Sequence, residues 1–361
     1  MGIGKFLLEL TNLFTIYRWN NRPGIIRFTE ADNAFHTTTL SLFAMNDLNA
    51  EDTINMVHNK IIKEIPKIIL SDVSLETKNK IKSINPTIWN DVINESYKDL
   101  NLILDNENLS KKLFIEKNIN EEINKTTDLV KLLVSKKEVE LNERVFPEYY
   151  SLPKKEIDEE IKKINTNFSK KVFSISDYLL NSTIRLNTMI RWNKNHRNVR
   201  SSVSSHSFYV LITAYILALN NDVNGELLKE IMIASILHDI PEAFTGDVIT
   251  PTKRKVKGLE SLIGKVEDTF VDEWSTLNPN INEIMKKYKN YMLEPFNKEY
   301  GRYVRSADLL AAMNECAAEI ITGNQDDIFR KAFFTSKKEL KIISPYDLSD
   351  ILDEIEYNTF K

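Results

Sequence analysis

Residues 238–247 read HDIPEAFTGD and directly follow an apolar segment, Leu227 to Leu237, whose Leu, Ile and Ala residues recur at helical spacing. The ten residues combine one histidine with three carboxylates. Imidazole and carboxylate groups together suit a divalent cation that must also hold water and phosphate oxygen. The segment therefore predicts a metal site at the end of a buried helix.

The composition is that of an ordinary helical protein. The chain has 361 residues, of which 42% are hydrophobic and 28% charged, with 9 glycines and 10 prolines. Few turn formers between long Leu-, Ile-, Lys- and Glu-rich segments favour an all-α fold. The net charge of −4 argues against a stable complex with nucleic acid. The apolar run from Phe208 to Leu219 is too short for a membrane span, and the single cysteine, Cys316, favours the cytoplasm.

Several segments occur twice in the same order. Residues 6–20 and 178–193 are apolar helical segments that both close on Arg-Trp-Asn. Residues 63–78 align without a gap with residues 238–253, with Ile, Pro, Asp and Val at matching positions. Repetition in a fixed order indicates an internal duplication.

The duplication predicts two tandem helical domains, residues 1–150 and 151–361. Pro147 to Pro153 would be the linker between them, because two prolines lie within seven residues. Two further pairs are assigned to the repeat, His36 with His206 and Asp128 with Asp308.

The first copy has lost the metal chemistry. Lys63, Glu64 and Lys67 stand where the second copy has His238, Asp239 and Glu242. Lysines at these positions repel a cation, so the sequence predicts no metal in the first copy. The first copy would then serve as the partner in an intramolecular pseudo-dimer, with further oligomerisation left open. A regulatory nucleotide pocket using Arg18, Lys63 and Lys67 is the alternative.

Further metal ligands must come from outside residues 238–247. His206 opens an apolar helix, where it is either a capping residue or a ligand. Asp308 lies in an otherwise small and apolar helix, and a buried carboxylate there needs a charged partner. A metal ion or a salt bridge would supply that partner.

The ordered motifs of residues 178–325 resemble the HD-domain 5′-deoxynucleotidases. The motifs are Arg191-Trp192, VSSHS at 203–207, HDxxE at 238–242, TGDxxTPxK at 245–253 and SADLLAA at 306–312. The resemblance implies two tandem HD-type domains and one divalent metal ion (Mn, Co, Fe or Mg), bound by His206, His238, Asp239 and Asp308. The chain departs from the family pattern at Ser205, where the family commonly has Glu.

The resemblance also implies the roles of the remaining site residues. Arg191 would bind the phosphate and Trp192 would orient it; a guanidinium matches phosphate oxygens in a fork. Glu242 and Asp247 would handle protons, in an order that the sequence leaves open. Asp247 and Thr250 would also lie against the nucleotide.

The expected activity is metal-dependent removal of phosphate from (deoxy)nucleoside 5′-monophosphates. Two other enzymatic activities remain open, namely a nucleoside triphosphohydrolase and a cyclic-nucleotide phosphodiesterase. A nucleotide sensor without catalysis is the alternative from another class.

Overall fold

The computed structural model describes residues 2–253 and 255–361, without the side chains of Leu75, Thr250 and Pro251. Across these residues the chain is all-α, as predicted. It forms nineteen α-helices and one 3-10 helix (Thr11–Phe14), and the described residues contain no strand beyond two isolated β-bridges.

Nine of these helices lie in the first half: α1 (Ile3–Leu10), α2 (Glu30–Ala44), α3 (Ala50–Glu64), α4 (Lys67–Leu70), α5 (Leu75–Ile84), α6 (Ile88–Leu104), α7 (Glu107–Leu113), α8 (Glu121–Glu143) and α9 (Pro147–Lys163). Ten lie in the second half: α10 (Ser169–Thr188), α11 (Val203–Asn220), α12 (Gly225–Leu237), α13 (Glu242–Thr245), α14 (Thr250–Lys253), α15 (Leu259–Thr276), α16 (Pro279–Leu293), α17 (Lys298–Ile321), α18 (Asp327–Ile343) and α19 (Ser349–Phe360).

Helix α11 is the central helix of the core. Every residue from Val203 to Ala218 is buried, and α2, α12 and α17 pack around it. The helix is long and apolar enough to cross a membrane, but 89% of the segment Val203–Asn220 is buried inside the protein. Its apolar character on all sides is therefore that of a core helix.

Two tight turns have the same local geometry in the two halves. Trp19 and Trp192 both adopt positive φ, at 53° and 59°. An antiparallel bridge joins the residues on either side of each turn segment, Tyr17 with Thr29 and Ile190 with Ser202. A capping box then starts the next helix, α2 in one half and α11 in the other.

A second pair of turns follows the segments aligned in the sequence. Helices α3 and α12 end just before Ile65-Pro66 and His238 to Pro241, and the short helices α4 and α13 come next. Each short helix ends at a residue with positive φ, Ser71 at 61° and Gly246 at 80°. The gapless alignment of these segments therefore agrees with their backbone geometry.

The two halves share one continuous hydrophobic core. Helix α2 packs against α10 and α11, α3 against α12, and α1 against α19. Buried polar contacts also cross between the halves: the Tyr215 hydroxyl lies 2.6 Å from His58 Nδ1, and His36 Nε2 lies 3.0 Å from Asn187 Oδ1.

The residues predicted as a linker are helical instead. Pro147 occupies the first turn of α9, and Pro153 lies inside that helix. Proline is tolerated in a first helical turn because its missing N–H would have no partner there. Helix α9 packs along α8, so the chain passes from one half to the other through packed structure.

Candidate metal centre

Three of the four predicted metal ligands lie together. His238 and Asp239 follow the last residue of α12, and His206 lies in the first turn of α11. One ligand atom from each of these residues lies within 4.8 Å of the other two. The packing of α11 against α12 thus brings the two distant parts of the sequence to one point.

His238 presents its Nε2 atom to this point. Its Nδ1 lies 2.9 Å from the carbonyl oxygen of Ser235. A carbonyl can only accept, so Nδ1 donates to it. His238 Nε2 is buried, makes no hydrogen bond within the described residues and lies 3.1 Å from Asp239 Oδ2. This is the arrangement of a metal-binding histidine held by its other nitrogen.

His206 is held between carboxylates. Its Nδ1 lies 3.0 Å from Glu315 Oε1, and its Nε2 lies 3.2 Å from Asp308 Oδ1 and 4.0 Å from Asp239 Oδ2. Burial and the charge of Arg191 lower the pKa of His206. Glu315 and Asp308 outweigh them and raise that pKa to about 9. The pocket thus stabilises positive charge at the His206 imidazole.

Asp308 lies beside the three-residue cluster. It comes from α17, and its Oδ2 accepts a hydrogen bond from Arg305 at 2.9 Å. Burial would raise its pKa, but His206 and Arg305 hold it well below the ordinary value. Asp308 is therefore charged, next to His206, and already has one salt bridge on its outer side.

The residues present fit a divalent cation. At this site three buried atoms make no hydrogen bond within the described residues: His238 Nε2, Asp239 Oδ2 and Glu242 Oε2. Buried polar atoms without a hydrogen bond are costly, and here one imidazole and two carboxyl groups supply them. Mixed nitrogen and oxygen donors of this kind suit Mn, Fe, Co and Mg.

Arg191 and Trp192 are anchored by Glu315, which the sequence reading missed. Glu315 is buried and accepts from Trp192 Nε1 at 2.8 Å and from the Ser201 hydroxyl at 3.0 Å. Arg191 Nε lies 3.3 Å from the same carboxylate, and Arg191 Nη1 lies 3.9 Å from Asp239 Oδ2. Glu315 therefore fixes the phosphate-binding candidate and His206 at once.

Glu315 could have been found from the sequence, because the first half has a corresponding glutamate, Glu138. Glu138 accepts from Arg18 Nε at 3.0 Å and from Trp19 Nε1 at 2.8 Å. Both glutamates follow a Leu-Leu pair at the same distance, Leu132-Leu133 in α8 and Leu309-Leu310 in α17.

The two proton-handling candidates lie at the edge of the cluster. The pKa of Glu242 is raised well above its ordinary value by burial and by the neighbouring charges of Asp239 and Asp247. Burial also raises the pKa of Asp247, against the lowering effect of Arg191. The side chain of Thr250 lies outside the described part of the chain.

Two of the assigned repeat pairs are wrong in register. The fourth residue after the α2 cap is Asn33, which corresponds to His206 after the α11 cap. Asn33 donates to Glu138 at 2.8 Å, as His206 contacts Glu315. His36 lies one turn further on and is bonded to Asn187.

The positions of Glu138 and Glu315 show that the second pair, Asp128 with Asp308, is also wrong. Counting back seven residues from Glu138 and Glu315 pairs Lys131 with Asp308. Asp128 is exposed and pairs with Lys131 at 3.0 Å. The first half therefore has an amide or an amine at three of the four ligand positions.

A lysine supplies the positive charge in the first half. Lys67 Nζ lies 2.6 Å from Glu30 Oε2 and 2.5 Å from Glu64 Oε2. Lys60 Nζ lies 2.8 Å from the other oxygen of Glu64. The carboxylates of this half are thus neutralised by the chain itself, and Arg18 is paired with Glu30 and Glu138. The same contacts weaken the alternative of a nucleotide pocket at Arg18 and Lys67.

Comparison with known proteins matches the second half. The model of the 5′-deoxynucleotidase YfbR-like family matches residues 178–356. A 5′-deoxynucleotidase of Pectobacterium atrosepticum is 30% identical over 168 residues, which are 45% of this chain and 83% of the relative. 5′-Deoxynucleotidases of Yersinia pestis and Yersinia pseudotuberculosis are 32% identical over 153 residues, 41% of this chain and 76% of each relative.

Proposed function

The chain belongs to the YfbR-like 5′-deoxynucleotidase family, and on this basis we propose that it hydrolyses (deoxy)nucleoside 5′-monophosphates to nucleoside and phosphate. One observation carries the proposal beyond the family name. Two buried candidate ligand atoms that make no hydrogen bond, His238 Nε2 and Asp239 Oδ2, lie 3.1 Å apart, beside His206 and within reach of the Arg191 guanidinium. This arrangement supports a metal site beside a phosphate-binding group.

One divalent cation, Mn, Co, Fe or Mg, would be held by His206, His238, Asp239 and Asp308. When bound, such a cation polarises the phosphate and lowers the pKa of a bound water. Glu315 supports this role by fixing the His206 ring through Nδ1, 3.0 Å away, which leaves Nε2 directed toward Asp308 and Asp239.

Arg191 is proposed to bind the phosphate. Its Nε is occupied by Glu315, while Nη1 points toward Asp239 at 3.9 Å. The terminal nitrogens can therefore contact phosphate oxygens without loss of the Glu315 anchor. Trp192 donates to the same carboxylate and holds the turn in place.

Glu242 and Asp247 are proposed to handle the protons. Hydrolysis breaks the bond between phosphorus and the 5′ oxygen, takes a proton from water and delivers one to the leaving oxygen. Burial and neighbouring carboxylates raise the pKa of both groups, which favours their protonated forms relative to an ordinary carboxyl and suits residues that exchange protons. Thr250 and Asp247 would contact the nucleotide.

We further propose that residues 1–150 and 151–361 are two HD-type copies arranged as an intramolecular pseudo-dimer in the cytoplasm. The repeated Arg-Trp turns and capping boxes support this assignment. The amide and amines at the first-half ligand positions support a single metal-binding copy.

Product analysis on a nucleotide panel tests the proposed function. Purified protein is incubated with deoxynucleoside mono-, tri- and cyclic monophosphates and Mn²⁺, Co²⁺ or Mg²⁺. We expect inorganic phosphate from the monophosphates. Release of triphosphate or pyrophosphate, or conversion of a cyclic to a linear monophosphate, would assign one of the other two enzymatic activities. Binding without turnover of any substrate would indicate a sensor.

A further inference from the structure

A buried carboxylate of the first half contacts the helical turn that carries His206. Asp32 lies in the first turn of α2 and is only 2% exposed. Its Oδ2 accepts from the backbone N–H and the hydroxyl of Thr29, both at 2.8 Å. Its Oδ1 accepts from the hydroxyls of Ser202 and Ser204 in the second half, at 2.5 and 2.7 Å. One side chain therefore joins the N-termini of both helices.

The Asp32 contact is directly coupled to His206 through the backbone. Ser202 is the N-cap of α11, and its hydroxyl oxygen accepts from the Ser205 N–H at 3.0 Å. The Ser202 carbonyl accepts from the His206 N–H at 3.0 Å. Since the Ser202 hydroxyl also donates to Asp32, the capping geometry of the His206 turn depends on a residue from the other half.

The residues on the two sides are complementary. The second and third positions are Ala31 and Asp32 in α2, but Ser204 and Ser205 in α11. One carboxylate thus meets two hydroxyls. A second carboxylate at position 205 would lie close to Asp32, because both contact Ser202 Oγ, at 2.9 and 2.5 Å. Two buried carboxylates at one place repel, which explains why Ser205 departs from the Glu common in the family.

We propose that Asp32 is a positioning residue for the metal centre. By fixing the first turn of α11 it sets the position of the His206 imidazole, so the half without metal ligands completes the site of the other half. The inference rests on the proposed function, because that function makes His206 a ligand.

Asp32→Ala in the full chain tests the proposal, with Asp52→Ala as the matched control. Asp52 holds the same third position in α3, and its carboxylate accepts from Asn49, the cap of its own helix, at 2.8 Å. The readouts are the Mn²⁺ dissociation constant by calorimetry and hydrogen exchange of residues 203–208 in metal-free protein. We expect about tenfold weaker Mn²⁺ binding and faster exchange for Asp32→Ala, and neither change for Asp52→Ala.

A carboxylate introduced at position 205 of the second half should compensate for the loss of Asp32. In Asp32→Ala/Ser205→Asp, the cap of α11 regains a charged acceptor, so Mn²⁺ affinity should recover at least in part. A variant that merely loosens the fold would not be repaired in this way.

Unchanged Mn²⁺ affinity in Asp32→Ala would overturn the proposal. If that variant does not fold, Asp32→Asn, which keeps the side-chain shape, is judged by the same criterion. Wild-type protein that binds no Mn²⁺ would contradict the proposed function instead. In that case equal exchange of residues 203–208 in wild type and Asp32→Ala would still refute the role of Asp32.

Discussion

The two halves of the chain build one framework around buried carboxylates, but only the first half neutralises them with a lysine. Each half has an Arg-Trp turn anchored by a buried glutamate, Glu138 in the first and Glu315 in the second. In the second half, His238 Nε2 and Asp239 Oδ2 are buried 3.1 Å apart and neither makes a hydrogen bond within the described residues. In the first half, the Lys67 ammonium lies between Glu30 and Glu64.

If the halves are copies, as proposed, the difference would show how a metal site loses its metal without losing its fold. A buried carboxylate needs a positive charge nearby, whichever group supplies it. Lysine at position 67 meets that need within the chain. The neighbouring helices therefore keep their packing, and Asp32 of the same half can still support the remaining site.

Removal of the central ligands should have the largest effect and should be confined to the second half. We expect His238→Ala/Asp239→Ala to lower kcat/KM for a deoxynucleoside monophosphate by about 10³-fold or more, since the lost cation contributes several kcal/mol. Lys63→Ala, at the position that corresponds to His238, should leave kcat/KM within about twofold. Steady-state kinetics on both proteins measures the contrast, and a comparable loss in Lys63→Ala would refute it.

Substitution of the two buried glutamates should have different effects: loss of Glu315 should weaken metal binding, whereas loss of Glu138 should lower only the stability of the fold. Glu315→Gln removes the charged acceptor of the His206 Nδ1–H, so we expect Mn²⁺ affinity to fall about 10- to 100-fold. Glu138→Gln breaks the equivalent contacts with Arg18 and Trp19. It should reduce stability by about 3 kcal/mol with no change in Mn²⁺ affinity. Calorimetry and denaturant unfolding of both variants give the two values; weaker Mn²⁺ binding in Glu138→Gln would contradict the division of roles.

The smallest expected effect is a pH dependence that belongs to the lysine-filled half. Burial would raise the pKa of Glu64, but Lys60 and Lys67 hold it below its ordinary value of 4.5. A lowered carboxyl pKa adds stability above about pH 4.5 that is lost as the pH falls. The melting-temperature gap between wild type and Glu64→Gln should therefore narrow from pH 6 to pH 3. A constant gap, or the same narrowing with the exposed Glu51→Gln, would contradict this.

The helical fold was predictable from the sequence, and so was the approach of His206 to His238 and Asp239, but the residues that support this candidate metal cluster were not. Short-range patterns carry His238-Asp239 and the Arg-Trp turns. Glu315 and Asp32 lie within helices, and only the packing of α17 and α2 against α11 shows what they contact. The pairing of His36 with His206 and of Asp128 with Asp308 was wrong because it matched residues of the same type. Distance from the helix cap gives the correct pairs.

Metal content per chain tests the central claim most directly. Full-length protein loaded with Mn²⁺ and freed of excess metal is analysed by elemental analysis against protein concentration. The account predicts one metal ion per chain, and none in His238→Ala/Asp239→Ala. Two ions per chain, or one retained in the double variant, would contradict it, because the first half would then bind metal as well.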